Sequence, residues 1–423
     1  MLNYDMKTRL VILISLGFIF CALGLKHVYE TNHNPLLVAN TKTIDSTKIS
    51  YQKLFDKSWL TIRNEYYDAT FNHQLWRRWK NHYHGKIKTE ADAKVAIETM
   101  LESLNDPYSR YLTKEDFEEQ NTSIVSKISG IGVNINNTAG KTQIISVIDD
   151  TPAKFADLRP GDIILSVDDK KISGMSLAQV SNLVKGPENT FVSLDLLRSG
   201  KIINKKIIRK EIKIKTVRSA NYKDIGYIQI LSFISNSTPN EFLEALENTQ
   251  DMKGLIIDLR GNTGGLLTNA VFIANLFIKK GRLVSIVGRN GYKYDIMAEN
   301  SNINIDKPIV ILVNRTSASA SEILSGALKD YNKAKIVGTN TFGKGMVQKI
   351  IPMPNKTGLN LTIAKYLTPK GNDINKKGIH PDIIFDIKQN KKLMDKDVQL
   401  EKAQSVLNKM IADKSRLAQK NNK

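Results

Sequence analysis

A single cysteine, Cys21, occurs in 423 residues, so no disulfide can close within one chain, and no cysteine nucleophile or cysteine metal site exists downstream of it. Histidine is also scarce. The six are His27, His33, His73, His82, His84 and His380, and none lies within fifty residues of the stretch "SASASEILSG" at 317–326. His82 and His84 in "HYHG" have no third ligand nearby and are followed by Gly85, so they read as polar surface residues at a helix end, and no metal site is expected. Long apolar runs are missing except at residues 10–25, "LVILISLGFIFCALGL". Low-complexity segments and internal repeats are absent.

What is present is a globular composition, 41% hydrophobic and 25% charged, on a chain long enough for two or three domains. The apolar run follows Lys7 and Arg9, which marks residues 1–30 as a signal sequence or N-terminal membrane anchor and predicts export of everything beyond about residue 30. Phe20, just before Cys21, is too bulky for a typical lipoprotein processing site. The formal net charge is +20, but the lysines are scattered through every segment and are not interleaved with aromatics on one face, which argues against nucleic-acid binding. Residues 387–423 carry ten Lys or Arg against four Asp or Glu around "VQLEKAQSVLNKMI", a pattern expected for a solvated amphipathic helix with a basic tail; attraction to an anionic membrane surface is the alternative.

Between these ends three folded parts are expected. Residues 51–118 have aromatic and charged positions at helical spacing and end at the Asp106-Pro107 turn, which suggests a helical N-terminal domain. Residues 128–213 change to short apolar strands with one amphipathic helix, "SLAQVSNLVKG", giving a small β-rich domain. From 224 to 386 strands and helices alternate, which predicts a layered α/β core with largely parallel strands.

The chemistry concentrates in two loops and one lysine. "DLRGNTGG", 258–265, follows the strand "GLIID" and precedes a helix, so its glycines offer backbone amides to an anion; it lacks the Gly-Lys-Ser/Thr ending of a phosphate loop and the spacing of a dinucleotide fingerprint. The same amides suit a tetrahedral oxyanion. "SASASE" enters its helix in the same way, with Ser319 near the helix start and the Ala320 amide beside it; any of the three serines could instead be an N-cap. In "TFGKGMVQ", 341–348, Lys344 stands between two glycines. Buried there, it could lose its proton and serve as the base that histidine does not supply.

"DLRGNTGG", "SASASE" and "TFGKGMVQ", in that order behind a small β-rich domain, resemble the C-terminal processing peptidases, or tail-specific proteases, over roughly residues 50–405. The resemblance implies a ClpP/crotonase-like α/β catalytic core with Ser319 as nucleophile, Lys344 as base and Gln348 orienting the lysine. It implies an oxyanion hole from the Ala320 amide and either Gly265 or Gly264. Glu322 and Asp330 match common acidic positions, but a carboxylate next to the lysine would keep it protonated, so structural roles are expected for both.

The β-rich part resembles a PDZ domain, from the "GIG" loop through "TPAKFADLRPGDII", with Asp157 where a glycine is usual. That implies a groove in which Gly130, Ile131, Gly132 and Val133 receive a peptide C-terminus. The segment "LFDKSWLTIRNEYYDATFNHQLWRRW" resembles the subgroup that trims a photosystem reaction-centre precursor. The expected function is therefore a serine endopeptidase acting on protein C-termini of exported substrates, with no cofactor. A crotonase-like acyl-CoA enzyme and a PDZ scaffold or chaperone with a silent site are the rivals.

Overall fold

The computed structural model describes residues 45, 47–125, 127–138, 140–213, 215–299, 303, 305–386 and 397–421. The expected export segment at 1–30, with Cys21, His27 and later His33, lies outside the described residues. Among those described, no helix is long and apolar enough to cross a membrane. The chain forms a multidomain α/β structure of two units: one joins the described residues up to Gln120 to those from Lys215 onward, and the other is Asn121–Ile214.

The larger unit is built on a six-stranded sheet with the spatial order Val217–Tyr222, Ile225–Ile230, Gly254–Asp258, Ile309–Val313, Lys335–Gly338, Ile383–Ile384. The first pair is an antiparallel hairpin and all later pairs are parallel. Successive residues of the central strands face opposite ways. Leu255, Ile257, Ile309, Ile311, Val313 and Ile336 pack into one cluster with the crossover helices Leu267–Phe277 and Ala320–Asp330. Ile256, Val310, Leu312 and Val337 point to the other face, where Ala403 and Leu407 of the C-terminal helix Val398–Asn421 cover them. Burial on both faces is why "IVILV" is apolar at every position and does not alternate. The C-terminal helix is amphipathic as the sequence predicts, and its apolar residues from Leu400 to Ile411 dock on the sheet, while Leu417 further along is exposed. Burying Leu407 alone stabilises by roughly 1.5–3 kcal/mol. At its start, Arg260 bridges fully buried Asp258 at 2.6 Å and Asp397 at 2.7 Å.

The N-terminal helices do not keep a core to themselves, as the expected 51–118 domain would. Tyr51–Glu65 is capped by Ser50 and Glu90–Glu102 by a reciprocal Thr89–Asp92 box. Their buried residues, among them Phe55, Trp59, Ile97 and Met100, pack with Met353, Leu359 and Leu361 of a second, antiparallel sheet. The N-terminal helices have too little apolar surface to close a core alone. The strand Arg110–Leu112 completes the union by pairing with the long strand Thr357–Leu367.

The smaller unit contains a sheet ordered Val133–Thr138, Lys141–Val147, Ile163–Val167, Phe191–Arg198, Lys201–Ile208, which leaves Val133–Thr138 at an edge. The helix Leu177–Val184, capped by a Ser176–Gln179 box, sends Val180 and Val184 into the core and packs beside that edge strand. Asp157 adopts the left-handed backbone, φ 58°, that the usual glycine would take. Arg159 and Arg198 hold its carboxylate at 3.0 and 3.1 Å, and asparagine and aspartate tolerate this conformation better than most residues.

Candidate active site

The strand Gly254–Asp258 runs into the glycine-rich loop, and its parallel neighbour Ile309–Val313 runs into the serine loop, so the two loops emerge side by side. Buried side chains sew them together. Ser317 Oγ donates to the Leu259 carbonyl at 2.8 Å, and Ser321 Oγ donates to the Asn262 carbonyl at 3.0 Å. Both serines are fully buried. The middle serine is left outside this stitching. Ser319 is half-buried at the start of Ala320–Asp330 with φ 55° and ψ −114°, a strained backbone for a residue other than glycine. The sequence left three serines open, and the hydrogen bonds separate one from two.

The glycine-rich loop approaches Ser319 with no room for a side chain. A Cβ on Gly264 would lie 2.8 Å from Ser319 Cβ, and one on Gly265 would lie 2.3 Å from the Ile234 nitrogen. The Gly264 amide donates to Asn262 Oδ1 at 2.8 Å, and Asn262 is itself anchored through Nδ2 to the Ile230 carbonyl. The amides of Gly265 and Ala320 donate to no acceptor among the described residues. Of the two glycines left open by the sequence, Gly265 is therefore the one with a donor to offer.

Lys344 is largely buried, and burial pulls its pKa below the ordinary lysine range against the opposing fields of Asp106 and Glu322. Its Nζ forms no ion pair and no hydrogen bond among the described residues, to Ser319 Oγ included; it lies 5.0 Å from the centre of the Tyr108 ring. Gln348 Nε2 donates to Thr362 Oγ1 at 3.4 Å and makes no hydrogen bond to the lysine. The serine and lysine loops are joined through their backbones. Fully buried Glu322 accepts from the amides of Ser319 at 2.8 Å, Lys344 at 2.9 Å and Gly343 at 2.7 Å, and from Thr341 Oγ1. Tyr366 Oη reaches the carbonyls of Ser319 and Lys344 at 3.1 and 2.7 Å. Asp330 accepts the Lys370 amide at 2.8 Å and so holds a surface turn.

In the smaller unit, the carbonyls of Ile131 and Gly132 accept the amides of Ala153 and Ile148. Their own amides have no acceptor among the described residues. The Ile131 side chain is buried in the core, so this residue can offer a peptide only its backbone. Gly132, at φ 90°, packs where a Cβ would fall 2.4 Å from Thr151. Val133 begins the edge strand, and Gly130 ends Lys127–Gly130, paired to Lys210–Lys213.

Residues 224–385 match peptidase family S41, and residues 143–198 match the PDZ domain family. A carboxyl-terminal-processing protease of Synechocystis sp. is 35% identical over 79% of this chain and 81% of its own length. The chain belongs to the carboxyl-terminal-processing proteases of family S41. A second such protease, from Bartonella bacilliformis, is 39% identical over 69% of each chain. Among solved structures, a photosystem II D1 C-terminal processing protease is similar at a TM-score of 0.55 and 31% identity, over 80% of this chain and 94% of that one. The protein is thus a protease with a PDZ domain. Three residues of this processing protease escaped the sequence reading: Asn262, Tyr366 and Tyr108. Only Asn262, set among glycines, carried a signal that could have found it.

Proposed function

We propose that Ser319 is the nucleophile, Lys344 its general base, and the amides of Ala320 and Gly265 the oxyanion hole, and that the PDZ domain captures the C-terminus of an exported protein near which the chain is cut. The partition of the three serine hydroxyls supports this most directly: two are consumed in holding the loops, and the third sits on a strained turn beside two open amides. In the reaction, the neutral Lys344 amine takes the Ser319 proton as Oγ attacks the scissile carbonyl carbon. The oxyanion is met by the two amides, and the ammonium returns the proton to the departing amine. Water, deprotonated by the same amine, releases the acyl group. Lys344 must turn toward Ser319 for this, as catalytic contacts often tighten only with substrate bound. Gln348, whose Oε1 has no partner among the described residues, receives the amine in that position. The basic-flanked apolar segment at 10–25 supplies export as signal or anchor.

A fluorophosphonate probe tests the assignment. Label is expected at Ser319, retained in folded Ser317→Ala and Ser321→Ala, and absent from Ser319→Ala; label or turnover surviving in Ser319→Ala refutes it. Lys344→Arg is expected to be as inactive as Lys344→Ala, because a guanidinium does not deprotonate in a protein. The wild-type rate rises with pH through the depressed lysine pKa, since the amine is charged below it and neutral above it.

A further inference from the structure

Lys344 rests against an aromatic ring that no catalytic motif contains. Tyr108 follows the Asp106-Pro107 turn, and the turn is built to hold it. Asp106 accepts the Tyr108 amide at 3.0 Å and Ser109 Oγ at 2.6 Å. Ser109 Oγ in turn accepts the Thr362 amide at 3.0 Å, and the Tyr108 carbonyl accepts Asn360 Nδ2 at 3.2 Å. The backbone that carries the ring is thereby tied to Thr357–Leu367, the same strand that carries Tyr366 between the serine and lysine loops.

We propose that Tyr108 is a positioning residue for the base: its π-face cradles the Lys344 ammonium in the resting enzyme, and the lysine leaves the ring as it loses its proton and turns to Ser319. The inference rests on the serine–lysine reading above. An aromatic quadrupole attracts a cation and not a neutral amine, so the contact weakens at the moment the base becomes competent. Two carboxylates also face the amine, Asp106 from the same turn and Glu322 from the serine helix, and both favour its charged form. Neither accepts directly from Nζ: Asp106 is occupied by Tyr108 and Ser109, and Glu322 by four donors of the two loops. The ring face is the short-range contact that distinguishes the charged lysine from the neutral one. It keeps the side chain of a flexible residue at the site during the part of the cycle in which it cannot act.

Replacing Tyr108 by phenylalanine and by phenylalanines of increasing fluorination withdraws π density at nearly constant shape. Two pH profiles are read for each full-length variant: kcat/KM on a peptide, and the rate of fluorophosphonate labelling at Ser319. Tyr108→Phe is expected to keep the wild-type rise with pH. Fluorination should move that rise progressively to lower pH, by about one pH unit for the fully fluorinated ring, because a cation held less firmly gives up its proton sooner. Tyr108→Leu should move it in the same direction. A ring that only filled space would lower the plateau and leave the midpoint in place, so midpoints that coincide across the fluorinated series overturn the cradle. A wild-type labelling rate that does not rise with pH overturns the serine–lysine reading instead, whatever stands at position 108.

Discussion

Each unit holds a glycine loop with open backbone amides, and the two loops differ in what braces them. In the catalytic unit, Gly265 and Ala320 sit on loops tied by Ser317, Ser321, Asn262 and Glu322, with strain stored at Ser319. In the PDZ domain, Ile131 and Gly132 are held by two backbone bonds and the close packing of Gly132 on Thr151. The difference matches the charge each would meet. An oxyanion exists only in the transition state and must find donors already in place, so a buried network that cannot relax is needed. A terminal carboxylate is charged on arrival and can settle into a lightly braced loop.

Equivalent substitutions should break the two loops in different ways. The largest effect is expected for Gly265→Ala, whose methyl would press on the Phe233–Ile234 backbone and displace the amide. A fall in kcat of about 10²–10³ with little change in KM is the expected result, and peptide hydrolysis under saturating substrate checks it. Next comes Gly132→Ala. Its methyl meets Thr151 and its φ disfavours a side chain, so KM for a free-acid peptide should rise roughly tenfold or more while kcat holds; for the amidated peptide, already weakly bound, the same substitution should change little. Equal kcat and KM for free-acid and amidated peptides in the unmodified enzyme would remove the C-terminus-reading role altogether. The smallest effect is expected for Asp157→Gly, which relieves a left-handed backbone but gives up the Arg159 and Arg198 contacts. These oppose one another, and calorimetry should find Tm within a few degrees of the wild type.

The parts of this structure that could be read in the sequence are those governed by neighbours in the chain. Apolar strands such as "IVILV", the alternate serines and a lysine between glycines each carry their meaning locally. The parts that could not be read depend on partners far away. Which of Gly264 and Gly265 keeps a free amide turns on where Asn262 Oδ1 points. The fate of the N-terminal helices turns on Leu359 and Leu361. Glu322 was expected to be structural, and its four bonds explain why an acid so near the lysine is tolerated: its oxygens are engaged by the two loops. Tyr108 was invisible because its partner arrives from the other end of the catalytic unit.

The Arg260 bridge bears on when this protease can come into being. Asp258 opens the glycine-rich loop, yet its arginine is shared with Asp397, 137 positions later, at the head of the helix that covers the sheet. Until that helix has docked, the strand beneath the loop has one face bare, and Arg260 has Asp258 but not its second carboxylate. Tyr108 and the strand it is fixed to must likewise wait for each other across most of the chain. Folding that depends on such distant contacts is slow to begin and comes late. The catalytic sheet is thus closed only when the helix Val398–Asn421 has docked on it, and the unit's core is finished by contacts that span most of its length.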